Sequence, residues 1–223
     1  MSTPVPPAHA QPSMANAIRM IRVLGVVSLL CGVFIAGAHV TTLERIRHNH
    51  EVILRSSVAE LLPGATREVI YGVEPSGELT ILSDIEEGGS RFFAGYDASG
   101  KFLGVVVEAS GRGYADVISA MYSYSPEKRE ITGFKVVDMK ETPGLGSRIG
   151  TDPDFLANFK ALDASLGHPI TTVKHGTKKN PWEIDAISGA TISSRAVGRM
   201  LEASASKMAP VIARNLNRIE QGN

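Results

Sequence analysis

From Val23 to Val40 every residue is apolar or small except Ser28 and His39. At about 1.5 Å per residue, a helix over this run just crosses a hydrocarbon core of roughly 30 Å. Lipid offers no hydrogen bonds to the backbone, so a single segment of this kind can span only as a helix. Arg19 and Arg22 stand at its start, where long basic side chains reach the headgroups, and they argue for a cytoplasmic N-terminus. Arg45, Arg47 and Arg55 follow on the other side, so the count of basic residues alone does not fix orientation. A cleavable signal peptide fits the same residues: basic Arg19 and Arg22, an apolar core from Val23 to Ile35, then Ala36-Gly37-Ala38 as a small-x-small cleavage site. Both readings send the remainder of the chain out of the cytoplasm. A buried core helix fits poorly, because the segment has almost no polar face.

The span organises the rest. Residues 1–18 are rich in Pro, Ala and Ser and hold no acidic residue, which predicts a disordered cytoplasmic tail. A transmembrane helix over 19–40 follows. Leu43, Ile46, His50, Ile53, Leu54, Val58, Leu61 and Leu62 then recur at helical spacing until Pro63-Gly64, predicting an amphipathic stalk over 41–63. With 223 residues in all, one domain is expected over 64–209, and 210–223 forms a C-terminal helix or tail. Acidic and basic residues number 23 each, with no long run of either sign, which excludes the electrostatic footprint of a nucleic-acid binder. Cys31 is the sole cysteine and lies inside the apolar run. It is either a small filler in a helix or a ligand to a cluster shared with another subunit, and it builds no disulfide framework or internal metal site.

Beyond Gly64 the period changes to that of strands. A short pair is predicted around Val69 to Val73 and Leu79 to Leu82. Two hairpins follow: Arg91 to Tyr96 turns through Asp97-Ala98-Ser99-Gly100 into Phe102 to Ala109, and Val117 to Tyr124 turns through Ser125-Pro126-Glu127-Lys128 into Ile131 to Met139. Tyr96 and Tyr124 precede their turns, and Leu103-Gly104 and Thr132-Gly133 open valine-rich runs, a weak repeat of one hairpin unit. A helix is predicted after Asp152-Pro153-Asp154, with Phe155, Leu156, Phe159 and Leu162 on one face. A longer one is predicted from Ile192 to Met208, continuing past Pro210 with a kink. Strands first, with helices flanking and following, give the class α+β, with a largely antiparallel sheet behind a single N-terminal transmembrane helix.

One stretch carries chemistry: Asp185-Ala186-Ile187-Ser188-Gly189-Ala190-Thr191-Ile192-Ser193-Ser194. The residues before Thr191 are small, so a ligand can approach the backbone closely, and those after it open an amphipathic helix. Hydroxyls at Thr191, Ser193 and Ser194 gather at a helix N-terminus, where unpaired N–H groups and the helix dipole favour a phosphate. The same residues also serve as ordinary helix N-caps.

The string Asp-x-x-Ser-Gly-Ala-Thr-x-Ser-Ser resembles the flavinylation motif of FMN-binding domains in the G subunit of the Rnf electron transport complex and the C subunit of the sodium-translocating NADH:quinone reductase. The resemblance implies that Thr191 is esterified to the FMN phosphate by a dedicated flavin transferase using FAD, and that Asp185 belongs to the signal this transferase recognises. Glu141-Thr142-Pro143-Gly144-Leu145-Gly146 resembles the second hallmark of that domain, and Gly113-Tyr114 is similar to the glycine-tyrosine that opens its preceding hairpin. The likeness runs from about Val23 to Met208. It implies a cofactor-binding set of Thr191, Ser188, Gly189, Ala190, Ser193, Glu141, Thr142, Gly144, Leu145, Gly146 and Tyr114. Physically, Pro143-Gly144 imposes a tight turn and Gly146 removes side-chain bulk, so that backbone amides and Thr142 could line one wall of a flavin pocket. The chain departs from the family at Ala115-Asp116, at Met139, and at Ser147-Arg148-Ile149, where the family often has Gly-Gly, a histidine and Asp-Lys-Ile. These departures leave the attachment motif intact and leave the particular complex open: the Rnf G subunit first, then the C subunit of the quinone reductase or a standalone carrier.

Other signals are weaker. Gly144-x-Gly146-x-x-x-Gly150 is spaced wrongly for a dinucleotide fingerprint and lacks the acidic partner of a βαβ unit. His48 and His50 face different ways on a helix, which argues against a metal there. Tyr114 and Trp182 either stack on a flavin ring or pack into the domain. No nucleophile–base constellation emerges, and the resemblance implies an electron-transfer subunit with no independent turnover. The resemblance implies a single-pass protein of the bacterial inner membrane with its domain on the periplasmic side. It would carry electrons through covalent FMN among membrane and peripheral subunits that couple ferredoxin and NAD to ion movement. The alternative of a different class is an anchored binding or scaffold module in which the motif merely caps a helix.

Overall fold

The structure is a computed structural model that describes residues 14–83 and 89–222. Helix α1 spans Met14–Leu61, 48 residues without a break. It is long and apolar enough to cross a membrane, by length and composition. Residues 1–13 of the expected tail lie outside the described residues. Met14 to Ile18, expected in that tail, instead form the first turns of α1; Met, Ala and Ile are helix formers, and no proline follows Pro12 until Pro63.

The chain divides into two units, residues 1–50 and 51–223. In the second, Leu54 and Val58 in the last turns of α1 and Leu62 just beyond it are buried, spaced i, i+4, i+8 along one stripe, whereas Ile53 is exposed. The apolar repeat beginning at Leu43 is thus used for packing in this unit only from Leu54 onward. Leu62, Pro63 and Gly64 end the helix.

The sheet holds seven antiparallel strands in the order β2-β1-β3-β4-β5-β6-β7. They are β1 (Arg67–Val73), β2 (Leu79–Leu82), β3 (Ser90–Tyr96), β4 (Phe102–Arg112), β5 (Val117–Ser125), β6 (Glu130–Met139) and β7 (Leu162–Asp163). The two predicted hairpins are β3–β4 and β5–β6, adjacent in one meander. In the first turn Asp97 Oδ1 accepts the N–H groups of Ser99 and Lys101 at 2.8 and 2.9 Å, the Asx geometry that its sequence encodes.

Both faces of the sheet are covered, so the central strands are apolar on consecutive positions rather than alternate ones. Ile70, Phe93, Val106 and Met121 pack on Leu54 and Val58 of α1 and on Leu62 just after it. Tyr71, Phe92, Val105, Val107, Ile118 and Tyr122 face the larger core on the opposite side. Close approach of α1 depends on missing side chains: a Cβ at Gly95 would lie 2.7 Å from Leu62 Cδ1, and one at Gly133 2.9 Å from Leu61 Cδ2.

The larger core is closed by α3 (Thr191–Arg214) and α4 (Leu216–Gln221). α3 runs through Pro210 as one helix. Ile212 and Ile219 are fully buried, and the Tyr96 hydroxyl donates to the Ile219 carbonyl, so of the expected helix or tail the described residues form the end of α3 and α4, packed on the domain.

The helix expected through Leu162 is shorter. α2 covers Pro153–Ala157, N-capped by Asp152, whose side chain accepts the Phe155 N–H. Asn158 ends it by turning its amide Nδ2 onto the Phe155 carbonyl at 3.0 Å, and Leu162 instead lies in β7 and pairs with Ile131 of β6. Phe155, Phe159 and Leu162 still reach the core. A second, two-stranded parallel sheet, β8 (Thr171–Val173) with β9 (Glu183–Asp185), leads the chain into α3. Gly144 to Gly150 form a turn and a 3₁₀ helix after an antiparallel strand, not a βαβ crossover.

Candidate functional site

The approach to α3 is a tight turn. The Ala190 N–H donates to the Ile187 carbonyl at 3.0 Å, and Gly189 takes φ +83°, a left-handed conformation that suits glycine. Helix α3 then begins at Thr191, with Ala190 as N-cap and no side chain capping it. The hydroxyl cluster therefore does not act as the N-cap that Ser and Thr so often supply. Ser194 Oγ accepts the Ile187 N–H at 3.1 Å and donates to the Ala190 carbonyl at 3.0 Å, stitching the turn to the helix from inside. Ser193 Oγ is also buried and donates to Glu141 Oε2 at 2.6 Å.

Thr191 is different. It is half-buried, and among the described residues its hydroxyl makes no hydrogen bond. The N–H groups of Thr191, Ile192 and Ser193 likewise find no protein acceptor among the described residues, and they form the positive end of a 24-residue helix. Ser188 and Gly189 beside them are exposed.

Glu141 is the hub of the neighbouring motif and is only 7% exposed. Its Oε1 accepts the N–H groups of Tyr114 and Ala115 at 2.9 and 3.0 Å, and its Oε2 accepts Ser193. One carboxylate thus joins the β4–β5 loop, the segment after β6 and the first turn of α3. The turn that follows is closed by the Leu145 N–H donating to the Thr142 carbonyl at 3.2 Å, with Gly144 at φ +75°. Thr142, Gly144 and Leu145 are exposed, whereas Glu141 and Gly146 are buried behind them. A Cβ on Gly189 would lie 3.9 Å from Leu145 Cδ2, which sets the two motifs side by side. Tyr114, Leu145 and Ile192 present 64%, 52% and 53% of their surface.

The residues of this corner match a known domain. Residues 113–206 match the FMN-binding domain family. The G subunit of the ion-translocating oxidoreductase complex from Methanosarcina acetivorans is 32% identical over 80% of this chain and 87% of its own length. The chain belongs to the family of these G subunits. The corresponding protein of Cereibacter sphaeroides is 30% identical over 78% of this chain and 76% of its own length. NqrC of Shewanella oneidensis has the same fold, with a TM-score of 0.56 at 22% identity, over 72% of this chain and 86% of that one.

For a member of this family, the chemistry of the corner fits a phosphorylated flavin. The Thr191 hydroxyl stands where N–H groups without a protein acceptor among the described residues and a helix dipole favour a phosphate, and exposed apolar side chains flank it. Of the residues expected to contact the cofactor, Thr191, Ser188, Gly189, Thr142, Gly144, Leu145 and Tyr114 lie on the accessible side. Ala190, Ser193, Glu141 and Gly146 lie behind it, with Ser193 and Glu141 committed to each other.

Asp185 stands apart from this surface. Both of its carboxylate oxygens accept the Gly176 N–H, at 2.8 and 3.0 Å, and His175 Nδ1 lies 3.8 Å away. Trp182, a candidate for stacking on the ring, is stacked on His168 with centroids 4.0 Å apart, so one of its faces is taken. Asn158 had no signal in the sequence. Its Oδ1 accepts the Asp185 N–H at 3.0 Å and the Lys178 ammonium at 3.1 Å, and its Nδ2 donates to the Asp185 carbonyl at 3.3 Å. Partial burial lowers the pKa of that ammonium against the pull of Asp185 and Glu183.

Proposed function

We propose that this chain is the membrane-anchored electron carrier of an Rnf-type ion-translocating oxidoreductase complex, holding FMN as a phosphoester on Thr191. The observation that carries the reading is the division of labour among the hydroxyls. Ser193 and Ser194 are buried and hydrogen-bonded, while Thr191 is accessible, free of partners among the described residues, and set at the open end of α3.

In maturation, Thr191 Oγ forms a bond to the flavin-side phosphorus of FAD. The pyrophosphate P–O bond breaks, and AMP leaves with the hydroxyl proton. A flavin transferase recognising the segment from Asp185 to Thr191 catalyses this exchange. The α3 N–H groups then hold the phosphodiester, and Tyr114, Leu145 and Ile192 offer apolar surface to the ring. Once bound, FMN supplies the redox chemistry; the protein binds, orients and insulates it.

A covalent link keeps the cofactor from being lost on the far side of the membrane. The apolar part of α1 spans the bacterial inner membrane, and the domain stands on the periplasmic side, exchanging electrons with neighbouring subunits of the complex.

The test is co-expression of the full chain with a flavin transferase, followed by denaturing electrophoresis and ultraviolet imaging. Wild type and Thr191→Ser are expected to fluoresce and Thr191→Ala to be dark. A dark wild-type band, or a fluorescent Thr191→Ala band, overturns the assignment.

A further inference from the structure

The Glu141 carboxylate is enclosed by glycines. A Cβ on Gly113 would lie 2.3 Å from Glu141 Oε1, and one on Gly146 would lie 2.4 Å from Oε2 and 2.8 Å from Ser193 Oγ. No other residue type fits at either wall without moving the carboxylate. Both glycines belong to strings that read as features of a flavin pocket, yet what they make room for is a side chain of the protein itself.

Both oxygens of Glu141 are engaged. Two backbone N–H groups reach Oε1 and the Ser193 hydroxyl reaches Oε2, all within 3.0 Å. A buried carboxylate with three donors is held by charge-assisted bonds in one geometry. Its links converge on the open corner from two directions. Ser193 lies two positions after Thr191 on α3, and residues two apart on a helix point to opposite sides. Fixing Ser193 inward therefore fixes Thr191 outward. Tyr114 and Ala115 are held by the same group, so the exposed Tyr114 ring is tied to the same frame.

We propose that Glu141 is a positioning residue, not a cofactor ligand: its carboxylate sets the first turn of α3 so that the Thr191 hydroxyl is presented for flavin transfer, and it registers Tyr114 against the attached flavin. This rests on Thr191 being the attachment residue. Small displacements of a reacting hydroxyl are costly in rate, so loss of the clamp is felt in the attachment step and in the order of the attached ring.

The test follows labelling of the full chain over time with FAD and a flavin transferase, in wild type, Glu141→Gln, Glu141→Ala and Ser193→Ala. Labelling is read as covalent flavin fluorescence per folded protein well below the melting temperature, and the visible circular dichroism of the attached flavin is recorded. Glutamine keeps an oxygen for the two N–H groups and an amide for Ser193, and it is expected to label within about threefold of wild type. Glu141→Ala and Ser193→Ala are expected to label at least about tenfold more slowly and to carry flavin with weakened visible dichroism. Wild-type rate and dichroism in Glu141→Ala overturn the proposal. So does a Glu141→Gln rate as slow as that of Glu141→Ala. Where Glu141→Ala does not accumulate, Ser193→Ala decides by the same criterion. Absence of label from every form, wild type included, overturns the Thr191 assignment instead.

Discussion

Gly198 of α3 lies so close to Thr172 of β8 that a Cβ on it would come 2.1 Å from Thr172 Oγ1. This contact presses the two-stranded sheet, which ends at Asp185, against the helix that begins at Thr191. Gly198→Ala is expected to cost about 1–3 kcal/mol, because a methyl must be forced into a packed interface. Thr172→Ala removes the colliding oxygen, so the double variant is expected to recover more than half of that loss. Urea unfolding of the four proteins measures the coupling; additive losses would show that the clash is relieved elsewhere.

Ser194 and Thr191 differ in what their hydroxyls hold, as the proposed division of roles requires. Ser194→Ala leaves the buried Ile187 N–H without its acceptor and is expected to cost about 1–3 kcal/mol. Thr191→Ala removes a hydroxyl with no protein partner among the described residues and is expected to fall within about 0.5 kcal/mol of wild type in the flavin-free protein. Thermal unfolding of unlabelled protein checks both, and reversed magnitudes would contradict the division of roles.

The legible part of the sequence was what short-range patterning encodes. The two hairpins matched their predicted residues almost end to end, because turn residues such as Asp97 and Gly100 bound runs that are themselves rich in strand formers. β7, β8 and β9 were not legible; strands of two or three residues carry no period, and they exist through partners such as Ile131 for Leu162. The spacing of Leu162 suits a helix face, but the helix stops early at Asn158. Near the candidate site, the turn before α3 is readable from small residues ahead of a helical pattern. The burial of Glu141 was not, since an acidic residue between a strand and a Pro-Gly turn looks like surface, and its partners Tyr114, Ala115 and Ser193 are 26 to 52 positions away.

Helix α1 is held to the sheet of its own unit by apolar packing more than by charge. Leu54 is fully buried against the sheet, whereas Arg55 pairs with Glu51 and Glu68 at the surface. Leu54→Ala is expected to cost about 2–5 kcal/mol, and Arg55→Ala less than about 1 kcal/mol. Denaturant unfolding of the detergent-solubilised chain reads both. A larger loss at Arg55 than at Leu54 would reverse the assignment.

Asp152 links stability to pH. The Phe155 N–H, with the Arg148 guanidinium assisting, holds its carboxyl below the ordinary carboxylate value. In the interval between the lowered and ordinary values the unfolded chain binds the proton more readily, so stability falls as pH falls. The contribution is complete above the ordinary value of 3.8 and is lost as pH drops through the lowered one. Asp152→Asn keeps a capping oxygen but removes the titration. It is expected to flatten the decline of unfolding free energy below about pH 4, measured by urea titration at successive pH values. An unchanged slope would mean that Asp152 titrates alike in both states.

Gly144 and Gly146, two residues apart, are glycines for different reasons. Gly144 sits at φ +75° with open space around its Cα, so an alanine there meets only backbone strain, about 1–2 kcal/mol. Gly146 is buried against Glu141 and Ser193, and an alanine must displace a carboxylate that three donors hold. Gly144→Ala leaves the Glu141 clamp in place and is therefore expected to be labelled with flavin faster than Gly146→Ala, despite its lower stability. Gly146→Ala is expected to label slowly even where its stability matches that of Gly144→Ala. Comparing the two at equal folded fraction separates strain in the turn from disruption of the clamp. Equal labelling in both would place the importance of the motif in the turn rather than in the carboxylate beneath it.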